Sequence, residues 1–109
     1  MSGQQARKPK KRFVIVFYGD EGPQKVSIVE ATTSNKALAE YFFKSGAGQL
    51  DTIRNRTRAK EEKTFNVLQD GDVIRQINAI DAKTALAWFA KELNLKRFFV
   101  EEHFTFEEV

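Results

Sequence analysis

Positively charged side chains recur at every second residue in one central segment, at Arg54, Arg56, Arg58 and Lys60. In a β-strand, residues two apart lie on the same face at a spacing of about 6.6 Å. A strand in this segment would therefore line up the four cations as a ridge. Such a ridge can neutralise several phosphates and release their counterions, which gives affinity for nucleic acid of any sequence.

A second group of cations lies near the N-terminus and consists of Arg7, Lys8, Lys10, Lys11 and Arg12. Residues 1–11 lack apolar side chains that could bury enough surface to order them, so we predict a flexible basic tail there. The tail and the ridge together form the candidate nucleic-acid-binding set. Phe13, Phe17, Tyr18, Phe98 and Phe99 could stack bases, but ten phenylalanines in a small chain are more typical of a core.

The residue types needed for catalysis or metal binding are sparse. His103 is the only histidine and there is no cysteine, which excludes two-histidine and thiolate zinc sites. Paired carboxylates lie mostly in expected turns or near the C-terminus. Asp70-Gly71-Asp72 resembles the start of a calcium loop, but Asp81 stands where such a loop needs glutamate. We therefore predict no enzyme activity, no cofactor and no metal.

Composition indicates one globular unit in a reducing compartment. The chain has 109 residues, of which 41% are hydrophobic and 30% charged, and it lacks cysteine, which favours the cytoplasm. No apolar run is long enough to span a membrane. The net charge of +3 is divided unevenly, with +6 over residues 1–63 and −3 over residues 64–109.

The first half has the pattern of a hairpin followed by a helix. Residues 12–18 form a predicted strand with two apolar faces, which favours a central position, and residues 25–32 form the return strand. Thr33 or Ser34 can cap a helix over residues 35–44, and Gly46 can end it.

The second half has a similar pattern. Residues 63–69 and 73–80 flank the turn formers Asp70-Gly71-Asp72, and Asp81 can cap a helix that runs to about Asn94. Leu86 and Phe89 are its expected core residues, with Leu38 as the counterpart of Leu86 in the first helix. Residues 96–106 are expected to form a long strand with a bend at Glu102.

The two halves, residues 12–62 and 63–109, match at an offset of 48 residues, which predicts an internal repeat. The predicted fold is α+β, with two ββα(β) halves in one domain over residues 12–109 and two helices on one face of an antiparallel or mixed sheet. Residues 49–62 are ambiguous. If they form a strand equivalent to residues 96–106, the architecture is ββαβ twice. If they form a loop, the alternative is a ferredoxin-like βαββαβ order with an extra N-terminal strand.

These features predict a non-catalytic protein that binds nucleic acid or a nucleoprotein, such as a ribosome or transcription complex, through its tail and ridge. The alternative is a protein-binding regulator or inhibitor, for example of the kind that phages encode. That function would use the acidic C-terminal half, including Glu101, Glu102, Glu107 and Glu108. The sequence leaves open whether the ligand is DNA, RNA or protein, and which oligomeric state the chain adopts.

Overall fold

The computed structural model describes residues 9–109, and these residues form two compact α+β units. The first unit ends at Glu61 and the second begins at Glu62. This boundary lies one residue from the predicted boundary between the two halves. Each unit contains one three-stranded antiparallel sheet. The predicted α+β class with two ββα(β) halves is confirmed.

In the first unit the order is two strands, two helices separated by a short 3-10 turn, and a third strand. The elements are β1 (Lys11–Gly19), β2 (Gly22–Ala31), α1 (Ser34–Ser45), the 3-10 turn (Ala47–Gln49), α2 (Asp51–Arg56) and β3 (Thr57–Glu61). β1 is the central strand and pairs with both β2 and β3. Its β-branched and aromatic side chains suit this position, which confirms the prediction.

The core of the first unit lies between α1 and one face of the sheet. Phe13 and Ile15 from β1 pack there with Ala31 and Ala37. Val14 and Val16, which alternate with them along β1, are also buried, with exposed fractions of 1% and 0%. Both faces of this strand are therefore shielded from water.

The ends of α1 follow the predicted capping residues. The Thr33 side chain accepts a hydrogen bond from the Lys36 backbone N–H at 3.2 Å. Gly46 adopts a left-handed conformation with φ of 73°, and its N–H donates to the Phe42 carbonyl at 2.9 Å. Glycine suits this position because it has no Cβ to strain the left-handed backbone.

The second unit has the same order of strands and α-helices. Its elements are β4 (Lys63–Gln69), β5 (Asp72–Ala79), α3 (Ala82–Glu92), α4 (Arg97–His103) and β6 (Thr105–Glu108). β4 is central. Asp81, the predicted cap, forms a capping box with Thr84 at the start of α3. Phe89 of α3 is buried against Val67 of β4.

The two hairpins also share a local irregularity. In each, the register of pairing shifts once, which leaves Val26 unpaired in β2 and Ile74 unpaired in β5. Ile74 follows Val26 by 48 residues, the offset found in the sequence. A β-bulge bends its strand, so the two hairpins are bent at matching points. Duplication of the sequence itself stays a prediction, as does the grouping of both halves into one domain.

Three expectations need correction. The six strands form two sheets and not one sheet that carries both helices. α1 packs against the first sheet and α3 against the second. Residues 49–62 are neither a loop nor a full strand, because α2 occupies their first part and β3 their second. The predicted strand over residues 96–106 is wrong, because α4 occupies most of it.

The reason for α4 lies in the burial of charge. A strand that buried Phe98 and Val100 would also turn Glu102 towards the core, where an unpaired carboxylate is costly. In the helix, Val100 is buried while Glu101 and Glu102 are exposed. β1 begins at Lys11, the last residue of the predicted tail, and residues 1–8 of that tail lie outside the described residues. Among residues 9–109, no helix has the length and apolar character needed to cross a membrane.

Candidate functional site

The first unit contains a pocket of about 370 Å³ with a strongly basic lining. Its lining residues come from three elements and are Tyr18 at the end of β1, Asn55 and Arg56 at the end of α2, and Arg58 and Lys60 on β3. Three cations and one aromatic ring thus converge on one concave site. Its volume is at the lower end of the range of about 300–1,000 Å³ that is typical of small-ligand sites.

The strand register decides which side chains meet at this pocket. Arg58 pairs with Val16, and Lys60 pairs with Val14. Residues directly opposite each other in a sheet project from the same face, so Arg58 and Lys60 lie on the face that carries Val14 and Val16. This face is opposite the one on which Phe13 and Ile15 pack with α1.

Two further cations belong to the same face. Arg12 alternates with Val14 along β1, and Lys25 on β2 pairs with Val16 after the bulge. Glu30, which pairs with Arg12, is a carboxylate on this face. We call the surface formed by Arg12, Tyr18, Lys25, Arg58 and Lys60 the basic face.

Hydrogen bonds to the main chain hold Arg58 in place. Its Nη1 donates to the carbonyl oxygens of Asn55 and Thr57, both at 2.9 Å. These bonds fix the guanidinium without neutralising it, and a guanidinium has five N–H donors in all. Among residues 9–109, neither Arg58 nor Lys60 forms an ion pair. Their charge is therefore available to a ligand.

Arg56 has a weak internal competitor. Its Nη1 lies 3.7 Å from the Asp20 carboxylate, and the Asp20 side chain is fully exposed. Solvent screens such a pair, so it contributes little to stability and an anionic ligand can displace it.

The predicted ridge of four cations on one strand is wrong. Arg54 and Arg56 belong to α2, whereas Arg58 and Lys60 belong to β3. Successive helical residues are about 100° apart, so Arg54 and Arg56 point in different directions. Arg54 instead contacts Asp51 at 2.5 Å and the Gly48 carbonyl at 3.3 Å. The pocket nevertheless brings together the other three predicted cations.

The N-terminal cations also divide. Arg7 and Lys8 lie outside the described residues. Lys10 is exposed just before β1. Lys11 pairs with Ala31 of the core face, and its ammonium lies 3.8 Å from the Glu61 carboxylate. Of Lys10, Lys11 and Arg12, only Arg12 is placed by the register on the basic face.

Sequence reasoning did not assign Lys25 and Asn55 to the site, and it listed Tyr18 only as a ring able to stack. Tyr18 has the same parity as Val14 and Val16 along β1, which is a signal for a shared face. The pairing of β1 with β3, which the sequence does not specify, was needed to place these residues beside Arg58 and Lys60.

The corresponding face of the second unit is not basic. Thr105 pairs with Leu68 where Arg58 pairs with Val16, and Glu107 pairs with Asn66 where Lys60 pairs with Val14. Gln76 donates to Asn66 at 2.9 Å, and Thr64 donates to Asn78 at the same distance. The same arrangement of strands thus carries cations in one unit and neutral or acidic side chains in the other.

The described residues contain no group of three or more His, Asp or Glu side chains close enough to hold a metal ion. His103 ends α4, and its ring centroid lies 4.4 Å from that of Phe99. It is therefore helical, and the predicted strand position for it is wrong.

Comparison of the chain with protein-family models, curated proteins and solved structures finds no match.

Proposed function

We propose that this chain is a non-catalytic binding module for nucleic acid, free or in a nucleoprotein, and that the basic face is its contact surface. The observation that carries this proposal is the convergence of Arg56, Arg58 and Lys60 on one pocket. Phosphate is the ligand group that matches them, because guanidinium groups can form paired hydrogen bonds to its oxygens.

The charge distribution supports the same assignment. Residues 9–61 contain ten Lys and Arg against six Asp and Glu, whereas residues 62–109 contain six against nine. A cationic first unit would attract a polyanion, and contacts with phosphates would release counterions. An acidic second unit would repel the same polyanion, which favours binding by the first unit.

We also propose that the two units arose by duplication and that only the first retains or acquired the basic face. Their common element order and matching bulges support this relationship. The absence of cysteine from the sequence supports a reducing location such as the cytoplasm.

A salt titration of binding tests the proposed function. The test variant is Arg56→Gln with Arg58→Gln and Lys60→Gln, because glutamine removes the charge but keeps most of the aliphatic stem. The control is Lys36→Gln with Lys44→Gln and Lys83→Gln, which removes the same charge from exposed positions on α1 and α3.

For a single-stranded oligonucleotide, the slope of log affinity against log salt is negative, and its magnitude should decrease by about two units in the test variant, at about 0.7 unit per phosphate contact. The control should change the slope by less than about half a unit. Equal effects of both variants, or a salt-independent interaction in the parent protein, would contradict the proposal.

The second candidate function is protein binding through α4. Phe98 and Phe99 on this helix are 62% and 41% exposed, and Glu101 and Glu102 follow them. Exposed aromatic side chains beside carboxylates suit a partner with an apolar and basic surface. A protein that binds no oligonucleotide but loses its partner on Phe98→Ser with Phe99→Ser would show this function.

A further inference from the structure

The pocket contains more than positive charge, and its other residues indicate which form of nucleic acid it accepts. We infer that the pocket binds one nucleotide of a single strand, with the base against the Tyr18 ring and the adjoining phosphate on Arg58 and Lys60. This inference rests on the proposed function and specifies its ligand.

Tyr18 is placed to offer its ring to a base. It is 37% exposed at the end of β1 and lines the pocket together with the three cations. Stacking of a base on an aromatic side chain tolerates any sequence, because every base has a flat face. A partly exposed aromatic residue beside cations therefore matches the two parts of a nucleotide, the base and the phosphate.

Asn55 adds a hydrogen-bonding group at the same site. Its side chain has both a carbonyl acceptor and an amide donor, which match the mixed donors and acceptors of a base edge. Asn55 lies in the last turn of α2, and its main-chain carbonyl is bonded to Arg58 at 2.9 Å. The residue that could contact a base edge is thus tied to a residue that would contact the phosphate.

A duplex does not fit this arrangement. Its base faces are stacked inside the helix, so Tyr18 would have no surface to stack on. Direct contact with base edges in the major groove needs a protruding helix or two-stranded ribbon, whereas this site is a concavity on a sheet face. Asp20 and Glu21 in the hairpin loop beside Tyr18 are both exposed, and they would repel a second row of phosphates.

The experiment compares three labelled ligands of one sequence: single-stranded DNA, single-stranded RNA and duplex DNA. Each is about 12 nucleotides long, within the usual range of single-strand sites. Affinity is measured by fluorescence anisotropy at about 0.15 M salt, where long-range attraction is largely screened. The proteins are the full chain and its variants Tyr18→Ala, Tyr18→Phe and Phe43→Ala. Phe43 is the control because its side chain is 90% exposed on α1.

At least one single strand should bind about tenfold or more tightly than the duplex, and the comparison of DNA with RNA identifies the preferred sugar. Tyr18→Ala should weaken single-strand binding by roughly 5- to 150-fold, the range expected for loss of one stacked base. Tyr18→Phe keeps the ring and should change affinity by less than about threefold, and Phe43→Ala should have no effect. The Tyr18→Ala variant should keep the salt slope of the parent.

Equal affinity for duplex and single strands, or an unchanged affinity of Tyr18→Ala, would overturn the inference. The proposed function would still stand if the triple variant of Arg56, Arg58 and Lys60 lost salt dependence as expected. A loss in Tyr18→Phe as large as in Tyr18→Ala would also overturn it, since the hydroxyl and not the ring would then be responsible. If none of the three ligands bound, the proposed function itself would fail. Thermal unfolding of each variant shows whether an effect comes from loss of structure.

Discussion

Single residues of the same type have different roles here because their partners differ. Arg54 is paired with the Asp51 carboxylate, whereas Arg58 donates only to main-chain carbonyls in the contacts described above. The regular spacing of the cations predicted the same role for both residues. Their partners show which charges remain available to a ligand.

The first prediction compares these two arginines. Arg58→Gln should decrease the magnitude of the slope of log affinity against log salt by about 0.7 unit for a single-stranded oligonucleotide, because one phosphate contact is lost. Arg54→Gln should leave the slope within about 0.2 unit of the parent, since this side chain does not line the pocket. Equal losses in the two variants would show that net charge, and not the pocket, determines binding.

Elements of the fold could be predicted from the sequence where a long pattern or a specific turn marks them. The hairpins, the two longer helices and their caps at Thr33 and Asp81 were predicted from alternation, helical spacing and capping residues. These signals are local, so they survive without knowledge of the tertiary structure. Phe89 is a core residue as predicted, and Leu86 packs partly buried against the same cluster.

The short helices were missed for a physical reason. α2 has six residues and α4 has seven, so neither completes two helical turns and neither shows a repeated apolar spacing. Helices of this length are unstable alone and depend on packing, which the sequence does not display directly. In α1 the buried residue is Ala37, and its neighbour Leu38 is half-buried, as Leu86 is in α3.

Two threonines at the ends of elements lead to the second prediction. Thr57 is fully buried where α2 meets β3, and its hydroxyl donates to the Ile53 carbonyl at 2.5 Å. Thr32 follows β2, and its buried hydroxyl has no hydrogen-bond partner among the described residues. The same substitution should therefore have opposite effects at the two positions.

Thr57→Val should lower the free energy of unfolding by about 1–3 kcal/mol, because it leaves the Ile53 carbonyl without this donor. Thr57→Ser keeps the hydroxyl and should cost less. Thr32→Val should raise the free energy of unfolding by up to about 1 kcal/mol, since burying a methyl group is cheaper than burying an unbonded hydroxyl. Urea denaturation measures each change, and a loss of stability in Thr32→Val would reveal a partner for that hydroxyl.

At the scale of the whole molecule, the sequence shows the change in charge along the chain more directly than it shows the pairing of strands into sheets. The change from basic to acidic composition coincides with the boundary between the units at Glu61 and Glu62. Charge composition is a property of each segment and can be read directly. The grouping of strands into two sheets depends on pairing between distant segments. Alternating apolar residues identify a strand, but they do not show which other strand it pairs with.

The last prediction concerns the cations that precede β1. Removing residues 1–8 takes away Arg7 and Lys8 but keeps Lys11, which pairs with Ala31 and lies 3.8 Å from the Glu61 carboxylate. The truncated chain should therefore unfold at the same temperature as the full chain. If both cations contact phosphate, its salt slope for a single strand should be lower by about 1.4 units.

Removing residues 1–11 provides the contrast, because it deletes the first residue of β1 together with the contact to Glu61. This longer truncation should lower the unfolding temperature, since a strand pairing is lost as well as charge. Calorimetry and the salt titration, applied to both truncations, separate the two contributions. An unchanged slope after removal of residues 1–8 would confine phosphate contacts to the basic face and the residues around its pocket. A lowered unfolding temperature in that variant would show that residues 1–8 support the fold.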